Sequence, residues 1–414
     1  MLSTTGHHPL HFYINTPFPP FPFPHNTPQY SLNSTSTPST RTQKPIFFHK
    51  SAMPSRRKTS DTLTSRNKYL DLNSMKELPD SHAWSDDPSF SGESPENIPV
   101  VDLNDRDVIE LVGHACTAWG IFQVLNHGIP QELLDEIESA AGRLFSLPMH
   151  HKLRAARQPD GISGYGSARI SSFFSKNMWS EGFTIAGSPL EHARALWPHD
   201  YQKFCDTIEE YRKAMNDLAT HLMRLVLGSL GITDTEADGI KWANTGEAGS
   251  AALQLNSYPA CPDPGRAMGL AAHTDSTVLT ILHQSNTSGL QVRREDPERW
   301  VGVPPLGGAL VVHVGDLLHI MSNGLYPSVV HRAVVNRARH RLSVAYLYGP
   351  PAGVKVGPLR ELVDDCRPAV YRAVTWSEYL GKKAKYFDKA LTSMRVCGAR
   401  AAGGLVDRND HLVA

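Results

Sequence analysis

Three side chains in the carboxyl-terminal half of the chain are of types that bind a metal ion. His273 and Asp275 are separated by one residue, and His331 follows in the same strand-rich region. Residues two apart on a β-strand point to the same face, so His273 and Asp275 can reach one common point. Two imidazoles and a carboxylate leave three positions of an octahedral ion open, which suits non-haem Fe(II). The spacing therefore predicts an iron site with an open side.

A second pair of residues, Arg341 and Ser343, again shares one strand face. A guanidinium fork with a hydroxyl beside it is suited to the distal carboxylate of a small dicarboxylic acid. Together with the iron site, this pair predicts an oxygenase that uses 2-oxoglutarate and O2 as co-substrates.

Other histidines compete with His331 for the third metal position. His340 lies in an arginine-rich turn, where we expect it to face solvent, whereas His313 and His319 lie in predicted strands. For a histidine within a strand, a hydrogen-bonded place in the core is the more common role. His331 is favoured because of its spacing to Arg341.

Composition limits the classes of function. The 41 basic and 41 acidic residues balance, which gives no support for binding nucleic acid or a membrane surface. No apolar run is long enough to span a bilayer. The five cysteines are scattered and form no paired-spacing motif, which predicts a reducing compartment and hence the cytoplasm. Nothing in the sequence demands more than a monomer.

The chain divides into four predicted regions. Residues 1–95 begin with a segment rich in Pro, Ser and Thr, for which we expect disorder, an extension or a linker. Residues 96–240 are predicted to form a helical amino-terminal region, 245–352 a strand-rich core, and 353–414 carboxyl-terminal helices and a tail. For residues 1–52 two interpretations stay open: an extension ahead of Met53, which we favour, or an organelle transit peptide.

Hydrophobic periodicity predicts both helices and strands. Helices are predicted over residues 105–119, 131–147 and 201–230, and Thr375 begins a capping-box pattern that opens a further helix. His127, in an Asn-His-Gly turn, is predicted to bond the backbone. Short strands are predicted over residues 98–102, 121–124, 252–258, 277–283, 289–292, 300–303, 309–314, 317–321, 329–335 and 341–348. The predicted fold is α+β, with a double-stranded β-helix (jelly-roll) core and flanking helices.

The order of these motifs resembles that of a known enzyme family. The chain resembles the plant 2-oxoglutarate- and Fe(II)-dependent dioxygenases from about Ile98 to Phe387, in the motifs Asn256-x-Tyr258, His273-x-Asp275, His331 and Arg341-x-Ser343. The resemblance implies that the iron ligands are His273, Asp275 and His331. It also implies that Arg341 and Ser343 hold the C5 carboxylate of 2-oxoglutarate, assisted by Tyr258 and Asn256. One departure is His313, which stands where the family usually has Asn, and we expect it to change the surroundings of the iron ligands without loss of iron. The long amino-terminal extension is the other departure.

The stretch from Gly164 to Pro189 narrows the resemblance to the gibberellin 3-beta-dioxygenases (3-beta-hydroxylases). That resemblance implies 3-beta-hydroxylation of gibberellin precursors to bioactive gibberellins, with succinate and CO2 as further products and ascorbate as an added cofactor. We expect an apolar wall that includes Phe173, Phe174 or Trp179 to pack the rings of this diterpenoid substrate. Arg169 or Lys176 is expected to pair with the substrate carboxylate.

Two other functions remain open at this point. A related dioxygenase acting on another gibberellin position or on a flavonoid would carry the same iron motif. A ligand-binding protein that keeps the fold without turnover is less favoured, because all three metal ligands and both co-substrate anchors are intact.

Overall fold

The structure, a computed structural model, describes residues 70–84, 98–159, 161–232, 240, 242, 250–295 and 297–396. The expectations for residues 1–52, for most of the linker and for the tail after residue 396 lie outside the described residues.

Fourteen strands and seven α-helices make up the described part of the chain. The strands are β1 Val100–Asp102, β2 Ile121–Leu125, β3 Gly164–Gly166, β4 Glu181–Ala186, β5 Ala251–Tyr258, β6 Met268–His273, β7 Leu279–Gln284, β8 Leu290–Glu295, β9 Glu298–Gly302, β10 Leu310–Val314, β11 His331–Val334, β12 Arg341–Tyr348, β13 Lys355–Val356 and β14 Val374–Thr375. The helices are α1 Val108–Ala118, α2 Gln131–Phe145, α3 Met149–Lys152, α4 Leu190–Leu196, α5 Gln202–Ser229, α6 Asp316–Met321 and α7 Trp376–Tyr386.

Two β-sheets pack face to face and enclose the site. The larger sheet has the strand order β1-β2-β10-β7-β12-β5-β4-β3, and the smaller has the order β6-β11-β8-β9. An apolar cluster between them joins Leu282 and Val311 of the larger sheet to Val292 and Val301 of the smaller. This arrangement confirms the predicted α+β class with a double-stranded β-helix core. Strands β1 to β4 come from the predicted amino-terminal helical region and extend the larger sheet.

Helix α5 supports the outer face of the larger sheet. Its apolar residues recur three and four positions apart, as the sequence predicts, and the whole stripe is buried: Phe204, Ile208, Tyr211, Met215, Leu218, Leu222 and Leu225. The stripe belongs to one apolar cluster with α1, α2 and the outward-facing residues of β4, β5 and β12. Burial of each such side chain contributes about 1.5–3 kcal/mol, so this layer holds the sheet rigid behind the site.

One predicted strand is wrong. Residues 317–321 are predicted as a strand, yet they belong to helix α6. The run Leu-Leu-His-Ile-Met is apolar almost throughout, and so short a run has no period that separates a strand from a helix. The capping box is confirmed: the Thr375 hydroxyl accepts from the backbone N–H of Glu378, whose carboxylate accepts from the N–H of Thr375.

Among the described residues, none of the helices combines the length and the apolar character that crossing a bilayer requires.

Candidate metal and co-substrate site

The two histidines of the proposed triad lie on neighbouring strands. His331 opens β11 and pairs directly with His273, the last residue of β6. Asp275 lies beyond the end of β6, so the expectation of one shared strand face was wrong for this residue. Its position is fixed by helix α6 instead, because the backbone N–H of Asp316 donates to the carbonyl oxygen of Asp275 at 2.7 Å. The carboxylate is thereby held beside the two imidazoles.

The three side chains converge on one point. One ligand atom from each of His273, Asp275 and His331 lies within 4.8 Å of the others. Each Nε2 is 3.7 Å from Oδ1 of Asp275. Nδ1 of His273 is 2.8 Å from the Ala271 carbonyl oxygen, and Nδ1 of His331 is 3.2 Å from that of Val329. A carbonyl can only accept, so each proton is on Nδ1 and each Nε2 lone pair is free for a metal.

The protonation states also fit a divalent ion. Burial lowers the pKa of His273 and of His331 to about 4, so both rings are neutral at pH 7. Burial alone would raise the pKa of Asp275, yet the imidazoles of His331, His313 and His273 and the Thr280 hydroxyl hold it well below its usual value. Metal binding needs neutral imidazole and ionised carboxylate. The donor set therefore suits Fe(II).

These buried imidazoles predict how the stability of the metal-free protein depends on pH. The pKa values of His273, His331 and His313 are all about 4, against about 6.5 for an unfolded histidine. Between pH 6.5 and pH 4 the unfolded chain therefore binds more protons, and the free energy of unfolding falls as the pH falls. Each imidazole adds at most about 1.4 kcal/mol per pH unit.

Urea unfolding of chelator-treated protein at pH 7, 6 and 5 measures this dependence. The His313→Asn variant, which lacks one of the three imidazoles, is the matched comparison and should lose part of the slope. Equal stability of the wild-type protein at pH 7 and pH 5 would contradict the prediction.

The proposed co-substrate anchors come from two adjacent strands of the larger sheet, and a third strand brings Gln284 beside them. Arg341 on β12 stands opposite Tyr258 on β5, and Ser343 stands between Asn256 on β5 and Gln284 on β7. Nη2 of Arg341 donates to Oε1 of Gln284 at 3.0 Å, and the guanidinium carbon lies 5.1 Å from the centre of the Tyr258 ring. The four residues predicted for 2-oxoglutarate are thus brought together.

This cluster contains hydrogen-bond donors that no described residue uses. In the described part of the chain, Nε of Arg341 and Nε2 of Gln284 are buried and have no hydrogen-bond partner. A buried cation with an unused donor is costly unless an anion joins it. The cluster is therefore suited to bind a carboxylate, such as the C5 carboxylate of 2-oxoglutarate. Gln284 was not predicted from the sequence, since a lone glutamine in a strand carries no signal of its own.

Two glycines let the backbone approach these anchors. A Cβ at Gly269 would lie 2.9 Å from Cδ1 of Tyr258, and one at Gly289 would lie 3.0 Å from Cδ of Arg341. Any larger residue at either position would displace an anchor side chain.

A polar network that the sequence analysis missed joins α7 to the metal ligands. The fully buried Asp316 accepts, at Oδ2, from Tyr379 at 2.7 Å, from Lys383 at 2.7 Å and from Thr274 at 3.1 Å. Lys383 also donates to the Thr274 hydroxyl, and Thr274 stands between His273 and Asp275 in the chain. Tyr379 and Lys383 are four residues apart on one helix face, a spacing that is the only sequence signal for this contact.

Replacing Lys383 with Met should destabilise the protein and weaken its metal site. Asp316 would keep a buried carboxylate without its cation, and breaking such a pair costs about 3–5 kcal/mol. Metal affinity should fall as well, because Thr274, which stands between His273 and Asp275, would lose its hydrogen bond from Lys383. Thermal melting and Co(II) titration measure the two effects. Lys385→Met, on the exposed part of the same helix, is the control and should leave both unchanged. A Lys383→Met protein as stable as the wild type would contradict this prediction.

The other histidines are accounted for by different contacts. His340 is exposed, as predicted, with Nε2 2.9 Å from the Ser257 hydroxyl. His319 is hydrogen-bonded, as predicted, to the Tyr326 carbonyl and the Tyr371 hydroxyl, although it lies in α6 and not in a strand. The prediction for His127 is confirmed, since its Nε2 lies 2.9 Å from the Gly308 carbonyl oxygen.

The residues predicted for the substrate fall into two groups. Phe173 and Phe174 contact Phe387 just after α7, with ring centres 4.8 Å and 5.5 Å apart, and Phe174 also packs in a cluster with Ala271. Trp179 is instead fully buried behind Tyr258.

The two cations predicted to bind a substrate carboxylate already contact the backbone. Arg169 donates to the Gly161 carbonyl at 2.6 Å, and Lys176 donates to the Asp80 carbonyl at 2.8 Å. Their neighbours in the chain, including Ala168, Ser171 and Asn177, line a cavity of about 240 Å³ with the segment around His82, but Arg169 and Lys176 do not line it.

Comparisons with known proteins agree with this geometry. A family model described as the 2OG-Fe(II) oxygenase superfamily matches residues 249–350. A second, described as the non-haem dioxygenase in morphine synthesis N-terminal, matches residues 98–203. The crystal structure of JOX2 in complex with 2OG, Fe and JA is 31% identical, with a TM-score of 0.68 over 78% of this chain and 95% of that one. The crystal structure of the dioxygenase for auxin oxidation in rice is 28% identical, with a TM-score of 0.60 over 72% of this chain and 100% of that one.

Curated relatives are more similar still. Gibberellin 3-beta-dioxygenase 1 of Pisum sativum is 56% identical over 354 residues, which cover 83% of this chain and 93% of that protein. Gibberellin 3-beta-dioxygenase 2 of Arabidopsis thaliana is 52% identical over 345 residues, covering 81% of this chain and 98% of that protein. By fold, by site and by these relatives, the chain belongs to the gibberellin 3-beta-dioxygenase family within the plant 2OG-Fe(II) oxygenases.

Proposed function

We propose that this chain 3-beta-hydroxylates gibberellin precursors to bioactive gibberellins, using 2-oxoglutarate and O2 and releasing succinate and CO2. The observation that carries the proposal is the convergence of His273, Asp275 and His331 at the smaller sheet, together with a buried, donor-rich Arg341 on the larger one. The 56% identity to a gibberellin 3-beta-dioxygenase supports the choice of substrate and position.

The chain's own residues contribute binding, orientation and exclusion of water. Bound Fe(II) supplies the oxidising chemistry that an unactivated C–H bond requires. His273, Asp275 and His331 would hold it from one side and leave the opposite side for the co-substrates. Arg341 and Ser343 would fix the far end of 2-oxoglutarate through the C5 carboxylate, with Tyr258 and Asn256 beside them. The burial of Arg341, Ser343 and Tyr258 keeps the site dry, which strengthens each of these polar contacts.

The substrate rings are proposed to pack on an aromatic wall formed by Phe173, Phe174 and Phe387. Phe387 adopts a φ of 48°, rare for a bulky residue, and this backbone turn after α7 sets its ring against Phe173. The wall continues through Phe174 to Ala271, whose carbonyl orients His273. Trp179 has no exposed surface and packs in one apolar cluster with Tyr258, so in this proposal it supports Tyr258 and is not part of the wall.

Arg169 or Lys176 is proposed to pair with the substrate carboxylate. Each keeps further N–H donors after its contact with a backbone carbonyl, since a guanidinium has five and an ammonium three. Replacing each in turn by Met and measuring the KM for the gibberellin tests the pairing. An unchanged KM in both variants would remove it.

Product analysis by mass spectrometry tests the function. The full chain would be given Fe(II), ascorbate and 2-oxoglutarate with a gibberellin that lacks a 3-hydroxyl group. A 3-beta-hydroxylated product that disappears in the His273→Ala variant is the expected result. Succinate without that product would point to another position or another substrate, such as a flavonoid. No succinate with any candidate would favour a binding protein without turnover.

The setting of the reaction is also proposed. We infer that the enzyme acts as a monomer in the cytoplasm with ascorbate to keep iron reduced. The four cysteines in the described part of the chain are unpaired, as a reducing compartment would leave them. Fractionation of plant cells and size-exclusion chromatography test these two points.

A further inference from the structure

The side chain of His313 lies beside Asp275 and His331 and is not one of the proposed metal ligands. It belongs to β10, is 2% exposed, and has no hydrogen-bond partner at either ring nitrogen within the described part of the chain. The expectation of a hydrogen-bonded core histidine was therefore wrong. A buried polar group without a partner costs about 1–3 kcal/mol, so the presence of this imidazole calls for an explanation.

The contacts of the His313 side chain indicate what it does. Nδ1 of His313 lies 3.7 Å from Oδ2 of Asp275, and its ring stands edge-on to His331 with centres 4.5 Å apart. Oδ1 of Asp275 instead faces the two Nε2 atoms of His273 and His331, at 3.7 Å from each. The two oxygens of this carboxylate are thus divided between the metal point and His313.

We propose that His313 is a positioning residue for Asp275. Closing the 3.7 Å between its Nδ1 and Oδ2 to hydrogen-bond distance would let an Nδ1–H donate to Oδ2 and hold the carboxylate with Oδ1 facing the metal. Carboxylate ligands of metals are commonly hydrogen-bonded in this way, and loss of such a partner costs about 10- to 100-fold in metal affinity. The inference rests on the metal-binding part of the proposed function and does not depend on which substrate is oxidised.

Two variants of His313 distinguish the effect of its N–H donor from the effect of its side-chain volume. His313→Asn keeps an N–H donor at the position of Nδ1, and it is the residue that the family resemblance implies here. His313→Leu has a similar volume and no donor. Both are compared with the wild-type full chain by anaerobic Co(II) titration, following the visible absorption of the bound ion. We expect about 10- to 100-fold weaker binding and an altered spectrum for His313→Leu, and nearly wild-type behaviour for His313→Asn.

Other outcomes would overturn the inference. Wild-type affinity and spectrum in His313→Leu would show that the contact does not matter, and equal losses in both variants would show that the donor is not the cause. Absence of Co(II) binding to the wild-type chain would instead overturn the metal site itself.

A measurement on the wild-type chain covers the case in which His313→Leu does not fold. Nitrogen-15 histidine NMR of the Zn(II)-loaded chain should show a slowly exchanging Nδ1 proton that is missing in His313→Asn. Its absence from the wild-type spectrum would also overturn the inference.

Discussion

Replacing His331 with glycine is expected to abolish turnover and nearly all metal binding. The residue supplies one of three donor atoms that lie within 4.8 Å of each other, and no other described His, Cys, Asp or Glu joins this group. A residue that only orients a ligand is worth about 10- to 100-fold in affinity, so loss of a ligand should cost more than about 100-fold. Co(II) titration and succinate release measure the two effects separately.

Two comparisons make this prediction specific. Added imidazole can enter the space left by the His331→Gly change and should restore part of the metal binding. The exposed His150 provides a matched control, because His150→Ala removes a histidine from the short helix α3 without touching the site. Metal binding that survives in His331→Gly would mean that the third ligand has been misassigned, and His313, 4.5 Å away ring to ring, would be the next candidate.

The metal ligands could be predicted because their chemistry is visible in residue types and order. A metal ion needs all three ligands His273, Asp275 and His331 together. The spacing to Arg341 favours His331 as the third ligand over the other histidines. A shared strand face accounts for neither pairing of these side chains. His273 and His331 meet because β6 and β11 pair at that register, whereas Asp275 is held in a loop by the backbone of α6.

The polar contacts around the ligands could not be predicted in the same way. Asp316, Lys383 and Thr274 are far apart in the chain, and only the docking of α7 against the site brings them together. Residues 317–321 of helix α6 are predicted as a strand, so the sequence does not indicate that Asp316, the first residue of this helix, contacts Asp275 and Lys383. That His313 has no hydrogen-bond partner in the described part of the chain is likewise a result of packing, because its place in a predicted strand indicated a hydrogen-bonded core position.

Replacing Arg341 with alanine is expected to raise the KM for 2-oxoglutarate about 100-fold. Hydrogen bonds to charged groups contribute about 1.5–3 kcal/mol, and 2.7 kcal/mol corresponds to about 100-fold. The same change also leaves Gln284 without the donor that now occupies its Oε1. Because the anchor binds the co-substrate before and during reaction alike, kcat at saturating 2-oxoglutarate should change much less than KM. Succinate formation over a range of 2-oxoglutarate concentrations gives both constants.

The form of the side chain, and not only its charge, should matter at this position. Arg341→Lys keeps a cation but loses the planar fork, so its KM should lie between those of the wild type and Arg341→Ala. Arg339→Ala is the control, because Arg339 is exposed in the turn just ahead of β12. Co(II) affinity should be unchanged in all three variants, which separates co-substrate binding from metal binding. If Arg341→Ala instead lowered kcat while leaving KM unchanged, Arg341 would be acting on the reacting end of the site, and the C5 carboxylate would need another anchor.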